Sequence, residues 1–194
     1  FNWKTFIEVY LEDYHVWAFH PGLNNIVNCD DLTWEFKSFS SIQKVPFREK
    51  DHSKSSPIYD HWKSKINEQS GDSKPPFGAI WLTIYPFFMI EWYPNVIVVS
   101  HLIPDDADHC RNIIEFYYPE ETILFDQDYI DAQQAAYNET ALLIKTILTR
   151  NKPLTTKQRL KTKSYVKKCM KEDVYSIKTK KKIWAHITNH WKMV

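Results

Sequence analysis

Two histidines near the amino terminus, His15 and His20, are five positions apart. Two imidazoles and one carboxylate are the ligand set of mononuclear non-heme iron(II) oxygenases, which leave coordination positions open for dioxygen and substrate. Five residues rotate about 140° along an ideal helix, so the two histidines would not share a face. Either a π-bulge or a frayed last turn before Pro21 must bring them together. The alternative is a pair of partly exposed helix histidines.

The segment that carries these histidines is predicted to be helical. Phe6, Val9, Tyr10 and Asp13 recur at intervals of three and four over residues 2–20. The Pro21-Gly22 pair ends this element, because a proline disfavours helix in the residue before it.

Residues 24–76 form a long polar stretch with two short apolar islands, Leu32–Phe39 and Ile58–Ile66. This pattern predicts a short strand or two and an excursion that could act as a lid over a pocket.

The sequence between Phe77 and Pro119 changes to short runs rich in β-branched and aromatic residues, each followed by a proline. Such runs predict an antiparallel meander with four strands. These are Ala79–Tyr85, Phe87–Tyr93, Val96–Ile103 and Asn112–Tyr118. Glu120 and Glu121 then suit the first turn of a helix of about twenty residues that ends near Thr140.

Several of these motifs together resemble a known family. The first motif is Asn2-Trp3-Lys4. An acidic residue, Glu12, then comes three positions before His15 of the Tyr14-His15 pair, and His20-Pro21 follows. Ile80–Tyr93 is similar to pocket-lining strands, and Leu124–Gln133 is similar to a helix that carries a third metal ligand. As a set they resemble the catalytic domain of Rieske-type ring-hydroxylating oxygenase α subunits, over residues 1–141. The resemblance implies an α+β helix-grip fold (Bet v1/START-like), with an antiparallel sheet, a long helix and a mononuclear iron site.

The resemblance also implies roles for particular residues. His15, His20 and Asp128 would bind Fe(II). Asp126 is the stronger alternative to Asp128, and Asp131 is the weaker one. The other interpretation of these aspartates is a solvated helix face. Glu12 matches a carboxylate that links a ligand histidine to the Rieske cluster of a neighbouring subunit, where it would orient an imidazole. Otherwise it is a surface acid.

A further set of apolar residues could line a substrate pocket or belong to the ordinary core, because pockets and cores have the same composition. The candidates are Trp17, Phe19, Trp81, Ile84 and Phe88.

The function implied is O₂-dependent hydroxylation of an aromatic or other small organic substrate, as a mono- or dioxygenation. The C-x-H and C-x-x-H pairs that hold a Rieske [2Fe–2S] cluster do not occur in the 194 residues. We therefore expect the cluster to come from a missing N-terminal domain or a neighbouring subunit, and the electrons from NAD(P)H through a reductase or ferredoxin. A homotrimer follows from the resemblance. The rival interpretations are a non-catalytic helix-grip ligand-binding domain and an inactive gene fragment.

The cysteines and the lack of long apolar runs indicate the cellular compartment. Three cysteines stand far apart, and no apolar run approaches a membrane span, so we expect a cytoplasmic protein without disulfides.

Residues 142–194 carry 15 Lys/Arg against two acidic residues, a charge of +13, whereas the rest carries −12. A disordered tail translated after a frameshift near codon 142 would explain this asymmetry, because a shifted frame permits a Gly-Pro…Leu-Glu…Gly run over Trp184–Val194. A nucleic-acid-binding arm is the alternative.

Overall fold

The structure is a computed structural model and describes residues 2–50 and 55–150, without the side chains of Tyr14 and residues 145–150. Nearly all of the described residues belong to one compact unit, which ends at Ile144. The predictions for the tail fall largely outside the described residues. Residues 142–150, the part of the tail that the structure describes, are helical.

The predicted amino-terminal helix is two helices, α1 (Trp3–Leu11) and α2 (Tyr14–Phe19). The side chain of Asn2 accepts a hydrogen bond from the Lys4 N–H at 2.7 Å and so caps α1. Glu12 has extended backbone angles (φ −86°, ψ 147°), which end α1 and let the chain turn into α2. A single helix over residues 2–20 was therefore the wrong prediction.

The polar stretch contains strands β1 (Thr33–Lys37) and β2 (Ser40–Pro46), followed by helix α3 (Pro57–Ser70). Ser56 caps α3 by accepting from the Tyr59 N–H, and Pro57 occupies the first helical position, where it costs no hydrogen bond. Ile58–Ile66 is thus helical and not part of a lid. Its inner face, with Tyr59, Trp62 and Ile66, is buried in the core.

The predicted meander is confirmed and extends to six strands. Strands β3 (Phe77–Ile84), β4 (Phe88–Tyr93), β5 (Val96–Pro104) and β6 (Cys110–Tyr117) follow β1 and β2 in one antiparallel sheet of order β1-β2-β3-β4-β5-β6. Alternate residues of each strand point to a buried face. The register places one residue of each strand in a single row across that face, Trp34, Gln43, Trp81, Glu91, Val98 and Phe116.

Two further helices follow the sheet, α4 (Glu120–Phe125) and α5 (Gln127–Arg150). They replace the one predicted helix, because Asp126 leaves helical geometry (φ −139°, ψ 64°) and its carboxylate accepts the Tyr129 N–H at 3.0 Å. Tyr129, Ala132 and Ala136 of α5 join Val16 of α2 and Trp62 of α3 in the core beneath the sheet. An α+β fold with a sheet packed on a long helix is confirmed.

Two glycines mark close approaches beside α2. A Cβ at Gly22 would lie 2.3 Å from Cδ2 of Tyr59, and a Cβ at Gly78 would lie 2.5 Å from the carbonyl oxygen of Ile26. The segment 22–27 is therefore held between α3 on one side and β3 on the other.

Among the described residues, no helix combines the length and the apolar character needed to cross a membrane. Cys29 and Cys110 are both free thiols.

Candidate functional site

The imidazoles of His15 and His20 meet at α2, with ring centroids 5.1 Å apart and planes at 83°. His15 lies in the first turn of α2. His20 follows the last helical residue with φ −120° and ψ 61°, and its N–H still donates to the Val16 carbonyl. Of the two predicted ways to join the rings, the structure thus has the frayed last turn.

Both histidines are buried, with 9% of His15 and 1% of His20 exposed. Neither ring nitrogen of His20 has a hydrogen-bond partner among the described residues. Burial, and secondarily the neighbouring His15, lower the pKa of His20 to about 3, so its ring is neutral near pH 7. Neutral, buried imidazole nitrogens without partners fit metal coordination, because a bound cation would satisfy lone pairs whose isolation is otherwise costly.

Glu12 lies directly beside His15. Its Oε2 accepts the His15 backbone N–H at 3.0 Å, which satisfies one free donor at the start of α2. Its Oε1 lies 2.6 Å from His15 Nδ1, although the ring is not turned into a well-directed hydrogen bond. A carboxylate at Nδ1 leaves Nε2 as the nitrogen for a metal and orients the imidazole.

The structure does not bring Asp128 to the histidine pair. Its carboxylate contacts Lys65 Nζ at 2.8 Å and His61 Nε2 at 3.1 Å, and the side chain is 57% exposed. Lys65 first, then His61, lower the pKa of Asp128. It lies in an open depression between α3 and α5 that is lined by Pro57, Ile58, His61, Asp128, Asp131, Ala132 and Ala135.

The two alternative aspartates are also engaged elsewhere. Asp126 caps α5 and accepts from Gln69 Nε2 at 2.8 Å, and Asp131 accepts from Gln127 Nε2 at 2.8 Å. Within the described part of the chain, no three His, Cys, Asp or Glu side chains are grouped closely enough to hold a metal. The residues present therefore fit two imidazole ligands, and the third ligand is not identified among them.

Only one of the five predicted pocket residues faces the covered side of the sheet. Trp81 is buried there, whereas Trp17 is 55% exposed and Phe19 is also exposed. Ile84 is exposed and pairs with Phe88, whose ring packs on His101 on the other face. The strand alternation that buries Trp81 turns Ile84 outward, since successive side chains point to opposite faces.

A buried carboxylate that the sequence interpretation missed lies on the covered face. Glu91 Oε2 accepts from the Tyr93 hydroxyl at 2.6 Å, and Oε1 accepts from the Tyr137 hydroxyl at 3.4 Å. Burial raises the pKa of Glu91 to about 7, and the surrounding tyrosine hydroxyls oppose that rise. The signal was present in β4, where Glu91 has the same parity as the buried Met89 and Tyr93.

The described residues thus form an α+β domain in which a six-stranded antiparallel sheet packs on a long helix and a buried histidine pair lies on α2. Comparison with known families agrees: the profile of the ring-hydroxylating α subunit (catalytic domain) matches residues 1–148. The chain belongs to this family of Rieske-type oxygenases.

Curated relatives with similar sequences are two putrescine 2-hydroxylases and a choline monooxygenase. The chain is 48% identical over 142 residues to putrescine 2-hydroxylase of Bordetella bronchiseptica, covering 73% of this chain and 33% of the relative. It is 50% identical over 142 residues to putrescine 2-hydroxylase of Ralstonia nicotianae, covering 73% and 39%. It is 28% identical over 131 residues to the chloroplastic choline monooxygenase of Beta vulgaris, covering 67% and 25%. The chain therefore spans between a quarter and two fifths of the length of these relatives.

Among solved structures, a quaternary ammonium Rieske monooxygenase described in connection with carnitine oxidation by gut microbiota has the same fold. Its TM-score is 0.55 at 20% identity, and the match covers 76% of this chain and 35% of that one. The expectation of an aromatic substrate finds no support in these relatives.

Proposed function

We propose that this chain is the iron-binding catalytic domain of an oxygenase that hydroxylates a small cationic amine with dioxygen. The observation that carries the proposal is the buried His15–His20 pair, in which both ring nitrogens of His20 lack a partner among the described residues. Buried polar atoms in native proteins nearly always have partners, and a metal ion would supply one for the lone pair of the His20 ring.

In this proposal His15 and His20 are two ligands of Fe(II), and Glu12 positions the His15 ring. The chemistry that ferrous iron supplies when bound is the activation of dioxygen beside the substrate. Residues around the pair would supply the remaining ligand and the contacts to the substrate. The burial of both histidines limits access of bulk water to the pair.

The reaction in this proposal is a monooxygenation. One oxygen atom of O₂ enters a C–H bond and the other leaves as water, which consumes two electrons and two protons. The electrons originate from NAD(P)H and arrive through a reductase or ferredoxin and a Rieske [2Fe–2S] cluster. Glu12 would link the iron-binding histidines to the cluster of a neighbouring subunit, which a homotrimer would bring close.

The amine class of the substrate is inferred from the relatives. Putrescine carries two ammonium groups and choline carries a quaternary one, and both names belong to proteins similar to this chain. The substrate proposed here is therefore a cation, whereas an aromatic or other small organic molecule was expected from the sequence.

The test is the iron content of the full chain, purified anaerobically and incubated with ferrous iron. We expect the wild-type chain to retain iron, up to about one ion per chain by the two-histidine, one-carboxylate stoichiometry. His20→Ala and His15→Ala should abolish this binding. His101→Ala is the matched control, because His101 is exposed on β5 away from the covered face. Retention of full iron content by both α2 variants, or no iron in the wild type, would favour the non-catalytic ligand-binding domain instead.

A further inference from the structure

Glu91 is a carboxylate enclosed by hydroxyl groups from three elements. Tyr93 of β4 donates to Oε2 at 2.6 Å, and Tyr137 of α5 donates to Oε1 at 3.4 Å. Tyr10 of α1 places its buried hydroxyl beside the same carboxylate without a well-directed hydrogen bond. Only 6% of Glu91 is exposed. The two helices and the sheet thus converge on one acidic side chain.

No lysine or arginine of the described residues pairs with this carboxylate. Burying a charge without a counter-charge is costly, and natural proteins rarely do so outside functional sites. The tyrosine hydroxyls offset part of this cost by hydrogen bonding, but they carry no positive charge. The charge balance of the interior would be completed by a cation.

Aromatic rings around Glu91 suit a cation as well. Trp81 is the cross-strand neighbour of Glu91 on β3, and its Nε1 donates to the Tyr93 hydroxyl at 3.2 Å. Trp62 of α3 lies against Tyr93 with ring centroids 5.5 Å apart. The faces of tryptophan and tyrosine rings attract ammonium groups, most strongly where water is excluded.

Unpartnered acceptors occupy the same face. Gln43 lies next to Trp81 in the row that contains Glu91, and its Oε1 is buried without a partner among the described residues. The Thr83 hydroxyl, two positions along β3 from Trp81, is also buried and unpartnered. A buried polar atom without a partner is costly, so these atoms point to a polar ligand in this part of the interior.

We propose that Glu91, with Tyr10, Tyr93, Tyr137 and Trp81, is the subsite that binds the ammonium group of the substrate. The proposal rests on the proposed function, because it takes the covered face beside α1 and α2 as the substrate site. It identifies the recognition element: a carboxylate for the charge and rings for the surrounding surface. Gln43 and Thr83 would accept further N–H or O–H donors of the same molecule.

Calorimetric titration of the full chain without added iron tests this assignment. The probes are putrescine and butane-1,4-diol, which have the same carbon chain but end in ammonium and hydroxyl groups. We expect putrescine to bind about tenfold or more tightly than the diol, because a charge-assisted hydrogen bond is roughly twice as strong as a neutral one. Equal affinity for the two probes would overturn the proposal without any substitution.

Glu91→Gln keeps the size of the side chain and removes its charge. We expect it to weaken putrescine binding about tenfold or more and to leave binding of the diol unchanged. Glu115→Gln is the matched control, since Glu115 is an exposed carboxylate on β6, and it should bind putrescine as the wild type does. Unchanged putrescine affinity in Glu91→Gln would overturn the proposal. Glu91→Asp, which retains the charge, should keep part of the preference for putrescine even if Glu91→Gln does not fold.

Iron content separates this proposal from the one on which it rests. If the ammonium subsite is wrong, Glu91→Gln retains both iron and putrescine affinity. If the iron site is wrong, His20→Ala retains iron while the preference for putrescine over the diol persists in the wild type.

Discussion

The hydroxyl of Tyr93 donates to Glu91 Oε2 across 2.6 Å, and the two side chains lie two positions apart on the covered side of β4. A strand that alternates between its faces places an acid and its hydrogen-bond donor on the same side, so this contact follows from the period of the strand. The hydroxyl stabilises the carboxylate in the interior by hydrogen bonding but supplies no counter-charge.

Stability should therefore depend on pH through Glu91. Its pKa rises from an ordinary 4.5 to about 7 in the folded chain, mainly through burial. Between these values the folded state holds a proton that the unfolded chain releases, so the unfolding free energy should fall as pH rises from about 4.5 to about 7, by roughly 3 kcal/mol at most. Tyr10, Tyr59, Tyr93 and Tyr137 face Glu91 with raised pKa values and stay protonated throughout. Urea unfolding of the wild type and Glu91→Gln between about pH 4.5 and 7 measures how the unfolding free energy of each depends on pH.

In Glu91→Gln that part of the pH dependence should disappear, whereas Glu115→Gln should retain it. A variant curve parallel to the wild type would mean that Glu91 does not titrate in this window.

Asp128→Ala should leave iron content unchanged, because its carboxylate is held by Lys65 and His61 in an exposed depression. The loss of this exposed ion pair should cost only about 0–1 kcal/mol of unfolding free energy. Metal analysis of the full chain beside His20→Ala checks both statements. Iron loss in Asp128→Ala would instead require α5 to carry Asp128 to the histidines when metal binds.

Glu12→Gln should keep iron but reduce substrate oxidation about ten- to a hundredfold once a Rieske component is supplied. The amide can still accept the His15 N–H, whereas the negative charge near Nδ1 is lost. Iron analysis and single-turnover oxidation, compared with Glu8→Gln on α1, measure the two effects separately. Loss of the iron itself would make Glu12 a direct ligand.

Gly78→Ala should destabilise the fold by about 1–3 kcal/mol, the usual cost of forcing extra volume into a packed site. The new Cβ would meet the backbone oxygen of Ile26, which cannot rotate away as a side chain could. Thermal unfolding of the full chain measures this change. An unaltered unfolding temperature would show that β3 and segment 22–27 can separate at little cost.

The strands of the sheet could largely be predicted, because each strand is determined by a short run of neighbouring residues. Runs such as Val96–Ile103 combine β-branched residues with a flanking proline, and the observed β5 differs by one residue. Helix α3 was missed although Tyr59, Trp62 and Ile66 are spaced by three and four, because the surrounding polar residues concealed that period.

The site was less predictable because it depends on tertiary packing. The His15–His20 pair could be found from residue types, whereas the face of α5 that carries Asp128 is set by where α3 packs. Strand parity alone placed Glu91 inside, but its partners Tyr10 and Tyr137 come from helices about forty-five to eighty residues away along the chain.

The two glycine contacts have a consequence for the histidine pair. Because α3 lies over Gly22 and Gly78 lies against Ile26, the chain immediately after His20 has little room to rearrange. An imidazole on so confined a backbone loses little conformational entropy when it captures an ion, and preorganisation of this kind raises affinity without adding a contact. The same confinement limits adaptation to ions of other sizes, so selectivity among metals would originate partly in two residues that carry no side chain.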